Sequence, residues 1–198
     1  MKKKNRINIL KQEIIKNLPI IKTNINDLYI HIRSGDIFRG HGRYYSQPPL
    51  CFYEKILNKF NFHNIFIISE NLFNPVINKI LNIYPYVKYK QNNISVDISY
   101  LANSYNIVSS MSSFLVSIIK LNDKLKNLWE YDFYKLSERY LHLHYSVYDF
   151  SFNYTIYKMN ASTKYKKKMN YWKCNKEQLN LMINEKCANK FDIIKPRF

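Results

Sequence analysis

The run Leu28-Tyr-Ile-His-Ile-Arg-Ser-Gly-Asp36 constrains this chain more than any other. Its apolar, β-branched stretch predicts a buried strand, and it breaks off into His31, Arg33, Gly35 and Asp36. That polar cluster falls at the strand's carboxyl end, which is where ligands bind in open α/β sheets. A planar guanidinium placed there suits a phosphate or a diphosphate. One segment therefore proposes both a fold and a ligand class.

The rest of the amino-terminal two thirds keeps the same alternation. Strands are expected over 27–33, 64–69, 86–89, 106–109 and 128–131. The run Asn64-Ile-Phe-Ile-Ile-Ser69 is apolar throughout, as in a strand buried on both faces. Between the strands lie segments of helical period. Ile7, Leu10, Ile14 and Leu18 precede Pro19, and Phe52, Ile56 and Phe60 share one face. Asn74-Pro75 opens a helix carrying Val76, Ile77, Ile80 and Leu81, with Pro in the first turn where its missing N–H is harmless. Helices are also expected over 95–104 and 112–121. Strands alternating with helices predict βαβ units and a parallel, doubly wound α/β sheet. The usual order, three-two-one-four-five, makes strands one and four neighbours at a switch point. The serine run Ser109-Ser-Met-Ser-Ser-Phe114 would then open a helix opposite Arg33, where free N–H groups and the helix dipole attract phosphate.

Beyond Asp132 the pattern loosens. The span 140–157 is aromatic-rich and carries no clear period, 164–173 reads as a basic helix face, and 175–187 as a helix with Leu179, Met182 and Ile183 inward. The chain divides on this reading into a Rossmann-like domain with an amino-terminal helix, 1–135, and a basic, aromatic-rich, helical or irregular extension packed on it, 136–198.

The net charge is +17. Such a balance favours nucleic acid, anionic membranes or phosphorylated small molecules. A coding bias toward A/T-rich codons produces the same excess of Lys, Asn, Ile and Tyr, and the chain shows no RNA-recognition, zinc-finger or helix-turn-helix signature. Nucleic acid is therefore not the expected partner. The three cysteines, Cys51, Cys174 and Cys187, form no CxxC pair. A disulfide scaffold is not expected, while one bridge between Cys174 and Cys187 stays open. His142 and His144 would share a face of a strand and read as packing or surface residues rather than metal ligands. No Asp-x-Asp pair is present to hold a cation. The basic amino terminus leads into an amphipathic segment, not a signal core, and no run approaches the ~20 apolar residues of a membrane span. As written, the chain is expected to be untargeted and cytoplasmic.

At these residues the sequence resembles the GDP-fucose-dependent fucosyltransferases of the GT-B architecture, the superfamily of the α1,2-, α1,6- and protein O-fucosyltransferases. Their strand-end His-x-Arg-x-Gly/Thr-Asp motif is matched by His31, Arg33, Gly35 and Asp36. Asp97-Ile-Ser-Tyr-Leu101, followed by the serine turn to Phe114, resembles a second family motif, Asp-Ile-x-x-Leu with a Ser-Ser strand-to-helix turn. Ile67-Ile-Ser69-Glu70 resembles the strand that ends in Thr/Ser-Asp, with Glu in place of Asp.

The resemblance implies roles. Arg33 would bind the β-phosphate and neutralise the departing GDP. His31 would line the nucleotide pocket, and Asp97 would accept from guanine N1 and N2. Ser112 and Ser113 would hold phosphate, Phe114 would pack beside the nucleotide, and Asp36 would orient Arg33 or cap the loop beside Gly35. The implied reaction is metal-independent, inverting transfer of L-fucose from GDP-fucose to a glycan or protein hydroxyl, with no cofactor beyond the donor. Family members carry a further amino-terminal Rossmann-like half, whereas only about 26 residues precede the first strand here. The chain would then be the donor-binding half, working with a partner subunit or a separate half. Two alternatives remain: a non-catalytic nucleotide-sugar-binding remnant, and a basic protein that places Lys and Tyr faces on nucleic acid.

Overall fold

A computed structural model describes residues 11–39, 46–133 and 153–195. The expectations placed on Ile7 and Leu10 and on His142 and His144 lie outside the described residues. Seven strands form one sheet: β1 (Leu28–His31), β2 (Ile65–Ile68), β3 (Val87–Lys90), β4 (Asn106–Ser109), β5 (Asn127–Asp132), β6 (Thr155–Asn160) and β7 (Asp192–Ile194). Their order is β3-β2-β1-β4-β5-β6-β7. Every pairing from β3 across to β6 is parallel, and β7 closes the edge antiparallel to β6. The expected three-two-one-four-five order holds, so β1 lies between β2 and β4, with His31 level with Ile68 and Ser109.

A short helix covers 11–16 (α1). Those that follow are α2 (Leu50–Lys59), α3 (Pro75–Ile83), α4 (Ile94–Asn103), α5 (Ser113–Ile119), α6 (Thr163–Met169) and α7 (Lys176–Asn184). Alternation along each strand divides the core. Leu28, Ile30, Ile67 and Trp129 face a layer built from Phe52, Ile56, Val76, Ile80, Tyr165 and Met182. Tyr29, Ile68, Ile107 and Leu128 face Leu101, Leu115 and Ile118. Helices α2, α3, α6 and α7 thus cover one face of the sheet, and α4 and α5 the other. Caps follow side-chain chemistry: Asn74 Oδ1 accepts from Val76 N with Pro75 next in line, and Asn93, Ser162 and Asn175 cap α4, α6 and α7 in the same way, each satisfying an orphan N–H.

The carboxyl-terminal segment departs from expectation. It is not a helical or irregular appendage, because β6 pairs with β5 along its whole length and β7 extends the same sheet. The first described residues after 133 therefore return to the sheet that 27–132 built. The period is hard to read in sequence because β6, Thr-Ile-Tyr-Lys-Met-Asn, buries only Ile156 and Met159. Helices α6 and α7 are tied back to the β1–α2 connection: Trp172 Nε1 donates to Ile37 O (2.7 Å) and Tyr165 Oη to Gln47 O (2.7 Å).

The cysteine pairing is corrected as well. Cys51, on α2, is bonded to Cys187, just past α7, with Cα atoms 5.6 Å apart. Cys174 is free and its Sγ lies against Phe38 O. Proximity in sequence favoured Cys174 with Cys187. Packing of α7 on the α2 face brings Cys187 to Cys51 instead. Among the described residues no helix is long and apolar enough to cross a membrane.

Candidate functional site

The three apolar residues Leu28 to Ile30 carry β1 through the sheet, and its hydrogen bonds stop one residue after His31. Ile32 N still donates to Ile68 O (3.1 Å), and Ser110 N donates back to His31 O (3.1 Å). From there the chain leads to α2 on one face, while the chain after β4 leads to α5 on the other. Connections that part to opposite faces open a crevice at the carboxyl edge. A cavity of about 310 Å³ occupies that place. His31, Arg33, Ser34, Ser69, Glu70, Asn92, Asp97 and Phe114 are among its walls.

His31 is buried, and desolvation together with the nearby Arg33 charge lowers its pKa to about 3. The imidazole is neutral at physiological pH. Arg33 N donates to Ser110 Oγ (2.8 Å), and Ser110 Oγ lies 3.2 Å from His31 Nδ1. The hydroxyl keeps its proton and a second lone pair, so it pairs with either tautomer of the ring. His31 offers the cavity a neutral imidazole with Phe114 beside it, ring centroids 5.6 Å apart.

Arg33 sits in a frame of carboxylates. Asp36 Oδ1 accepts from Arg33 Nη2 (2.5 Å) and from Ile37 N (2.9 Å), and Glu70 Oε1 lies 3.4 Å from Arg33 Nη1. The loop is buckled to the start of α3. Asn71 Oδ1 accepts from Ser34 Oγ and Gly35 N, Ser34 Oγ accepts from Asn74 N, and Asn74 Nδ2 donates to Arg33 O. Gly35 has φ +66°, a conformation that disfavours any Cβ. A Cβ there would also lie 2.2–2.6 Å from the three carboxyl atoms of Glu70. Gly35→Ala should therefore lower stability by about 1–2 kcal/mol, mostly as backbone strain. Thermal unfolding of Gly35→Ala with and without Glu70→Ala measures this. Full rescue by the second substitution would assign the loss to the contact instead.

On the far wall, Asp97 is buried in the first turn of α4, and burial raises its carboxyl pKa. Asn92 Nδ2 donates to Asp97 Oδ1 (2.9 Å), which orients the carboxylate and leaves Oδ2 for a ligand. Of the residues singled out in sequence, His31, Arg33, Asp97 and Phe114 line the one cavity, and Gly35 and Asp36 form the turn behind it. Ser112 and Ser113 are not among its lining residues. Ser112 is buried at the start of α5 without a side-chain cap bond, and Ser113 faces solvent. The serine of this run that bonds to site residues is Ser110, through Arg33 N and His31 Nδ1. Its place in the run Ser109-Ser-Met-Ser-Ser113 does not distinguish it in sequence. Asn71 and Asn92 were hidden among the many Asn of this composition. Glu70 was visible as a strand-end acid, with no signal that it would reach Arg33.

No family model, no curated protein and no solved structure matches the chain. The site's chemistry is thus read from its own groups: a guanidinium, a neutral imidazole and a buried carboxylate around one crevice.

Proposed function

We propose that this cavity binds a GDP-sugar, GDP-fucose first among them, and that the chain transfers L-fucose to a hydroxyl acceptor with inversion. The observation that carries the reading is the convergence of Arg33, His31 and Asp97 on one cavity at the β1–β4 switch point. A diphosphate needs a cation at one end, and guanine needs an acceptor of paired N–H groups at the other. Arg33 and Asp97 have those chemistries. In inverting glycosyl transfer the sugar passes through an oxocarbenium-like transition state while negative charge grows on the leaving diphosphate. Arg33 would meet that charge, oriented by Asp36, and a donor held in place before reaction stabilises it most effectively. His31 would line the nucleotide pocket as a neutral imidazole. This chemistry needs no metal.

Thermal shift against GDP-fucose, GDP-mannose, UDP-sugars and short RNA tests the reading. Stabilisation by the GDP compounds alone is expected, with turnover in a transfer assay. GDP binding without turnover would leave a nucleotide-sugar-binding remnant. Stabilisation by RNA alone, falling steeply with salt, would replace the reading with nucleic-acid binding.

Base preference is expected to lie with Asp97. A carboxylate accepts from guanine N1–H and N2–H together, and uracil presents no such pair. Asp97→Asn should weaken GDP binding by about 1–3 kcal/mol, the scale of a lost hydrogen bond to a charged group. Isothermal titration checks this, and equal affinity of the wild-type protein for UDP and GDP would overturn the assignment.

A further inference from the structure

Resting on that reading of the cavity as a diphosphate site, we infer that Glu70 is an internal competitor for Arg33, one that a ligand phosphate must displace. Glu70 lies two residues past β2, and its carboxylate reaches across to the loop after β1, 3.4 Å from Arg33 Nη1. The Ser34 N–H faces the same carboxylate and favours its charged form. The absence of a side chain on Gly35 makes room for it, since a Cβ there would overlap all three carboxyl atoms. A backbone N–H beside a residue of left-handed φ, next to a guanidinium, is the kind of concavity that holds an anion. Here the chain's own acid occupies it.

Local charge makes the competition real. Arg33 contributes one positive charge, while Asp36 and Glu70 contribute two negative ones. An incoming diphosphate therefore meets a net negative cluster, and one carboxylate must yield. Asp36 is held twice, by Arg33 Nη2 and by Ile37 N. Glu70 makes the longer contact, 3.4 Å against 2.5 Å for Asp36, so it is the one that swings away. Specificity follows. A ligand must bring enough phosphate charge to replace Glu70, and a nucleoside without phosphate gains nothing from its departure.

The same exchange is pH-dependent. Burial raises the Glu70 pKa, opposed by Arg33 and reinforced by Asp36. Protonation of Glu70 removes the competitor, so anion affinity rises as pH falls. The other groups that face this carboxylate are Arg33 and Asp36, with the Tyr89 hydroxyl from β3. His31, with its pKa near 3, stays neutral across the range. Asp97, on the far wall, and the phosphate itself titrate in wild type and variant alike, so comparing the two isolates Glu70.

The experiment is isothermal titration of inorganic pyrophosphate, GDP and guanosine into wild type, Glu70→Ala and Glu70→Gln between pH 5 and 8. At pH 7.5 both variants should bind pyrophosphate and GDP roughly two- to fivefold more tightly, the scale of a half-exposed ion pair. Guanosine affinity should not change. Wild type should approach the variants as pH falls, because Glu70 takes up its proton. Glu70→Gln keeps the side-chain volume and serves if Glu70→Ala loosens the loop. Equal or weaker pyrophosphate binding by the variants, parallel pH profiles, or no pyrophosphate binding by any of the three proteins overturns the inference. Tighter pyrophosphate binding with no response to GDP or guanosine supports the role of Glu70 and rejects the guanine reading.

Discussion

On the proposed function, Arg33→Lys should leave the fold intact and reduce sugar transfer by a factor on the order of 10² or more, comparable to deleting one preorganised electrostatic donor. The charge survives the substitution, but the geometry does not. Arg33 points two different nitrogens at two different carboxylates, Nη2 at Asp36 and Nη1 at Glu70, and only a planar fork can do both at fixed angles. A Lys ammonium is a compact point charge on a flexible stem. It can pair with Asp36 or with a phosphate, but it cannot be held by one while it grips the other. The effect on stability should be small, because the partner carboxylates of Asp36 and Glu70 are 58% and 44% exposed and solvent-screened ion pairs contribute roughly 0–1 kcal/mol. Isothermal titration with GDP, a transfer assay and a melting curve on both proteins separate the two contributions. If GDP affinity and turnover match wild type, Arg33 is only the partner of Asp36 and the site assignment fails.

Opening the Cys51–Cys187 bridge should lower stability by about 2–4 kcal/mol, a drop in melting temperature of roughly 5–15 °C for a chain of this size. The bridge spans 136 residues of sequence, and a long closed loop removes the most freedom from the unfolded chain, in the chain-entropy account. It also ties α2, which follows the Arg33 loop, to the segment after α7 that leads into β7. Melting curves with and without reductant, and of Cys51→Ser, measure the effect. Cys174→Ser is the control, since Cys174 makes no bridge and its loss should leave the response to reductant unchanged. Identical melting temperatures under oxidising and reducing conditions would show that the bridge does not hold these elements together.

Short-range patterns carried much of this protein. Continuous apolar runs such as Ile65–Ile68 announce strands buried on both faces, because a parallel sheet is covered by helices on each side. Asn74-Pro75 announces a helix start, because an Asn side chain and a Pro ring each answer the unpaired N–H groups of the first turn. From those two signals came the βα alternation, the sheet order and the meeting of β1 with β4. The placement of His31, Arg33, Asp97 and Phe114 at one crevice follows from that order, since topology alone brings strand ends together.

Contacts between segments far apart in sequence were decided only by the tertiary structure. β6 lies 22 residues beyond β5 and shows no strong period, so its place in the sheet depends on the edge that β5 offers. Cys187 finds Cys51 because α7 packs on the face where α2 lies, a fact with no trace in cysteine spacing. Ser110 rather than Ser112 or Ser113 meets the site, because the register of β4 against β1 sets which hydroxyl stands beside the Arg33 N–H and His31 Nδ1. Glu70 reaches Arg33 for the same kind of reason: β2 runs parallel beside β1, and Gly35 leaves the space its carboxylate fills. Residue type and spacing determined which elements form and roughly where the charged groups stand. Which of those groups touch is a matter of packing geometry, and it exists only once the sheet is assembled.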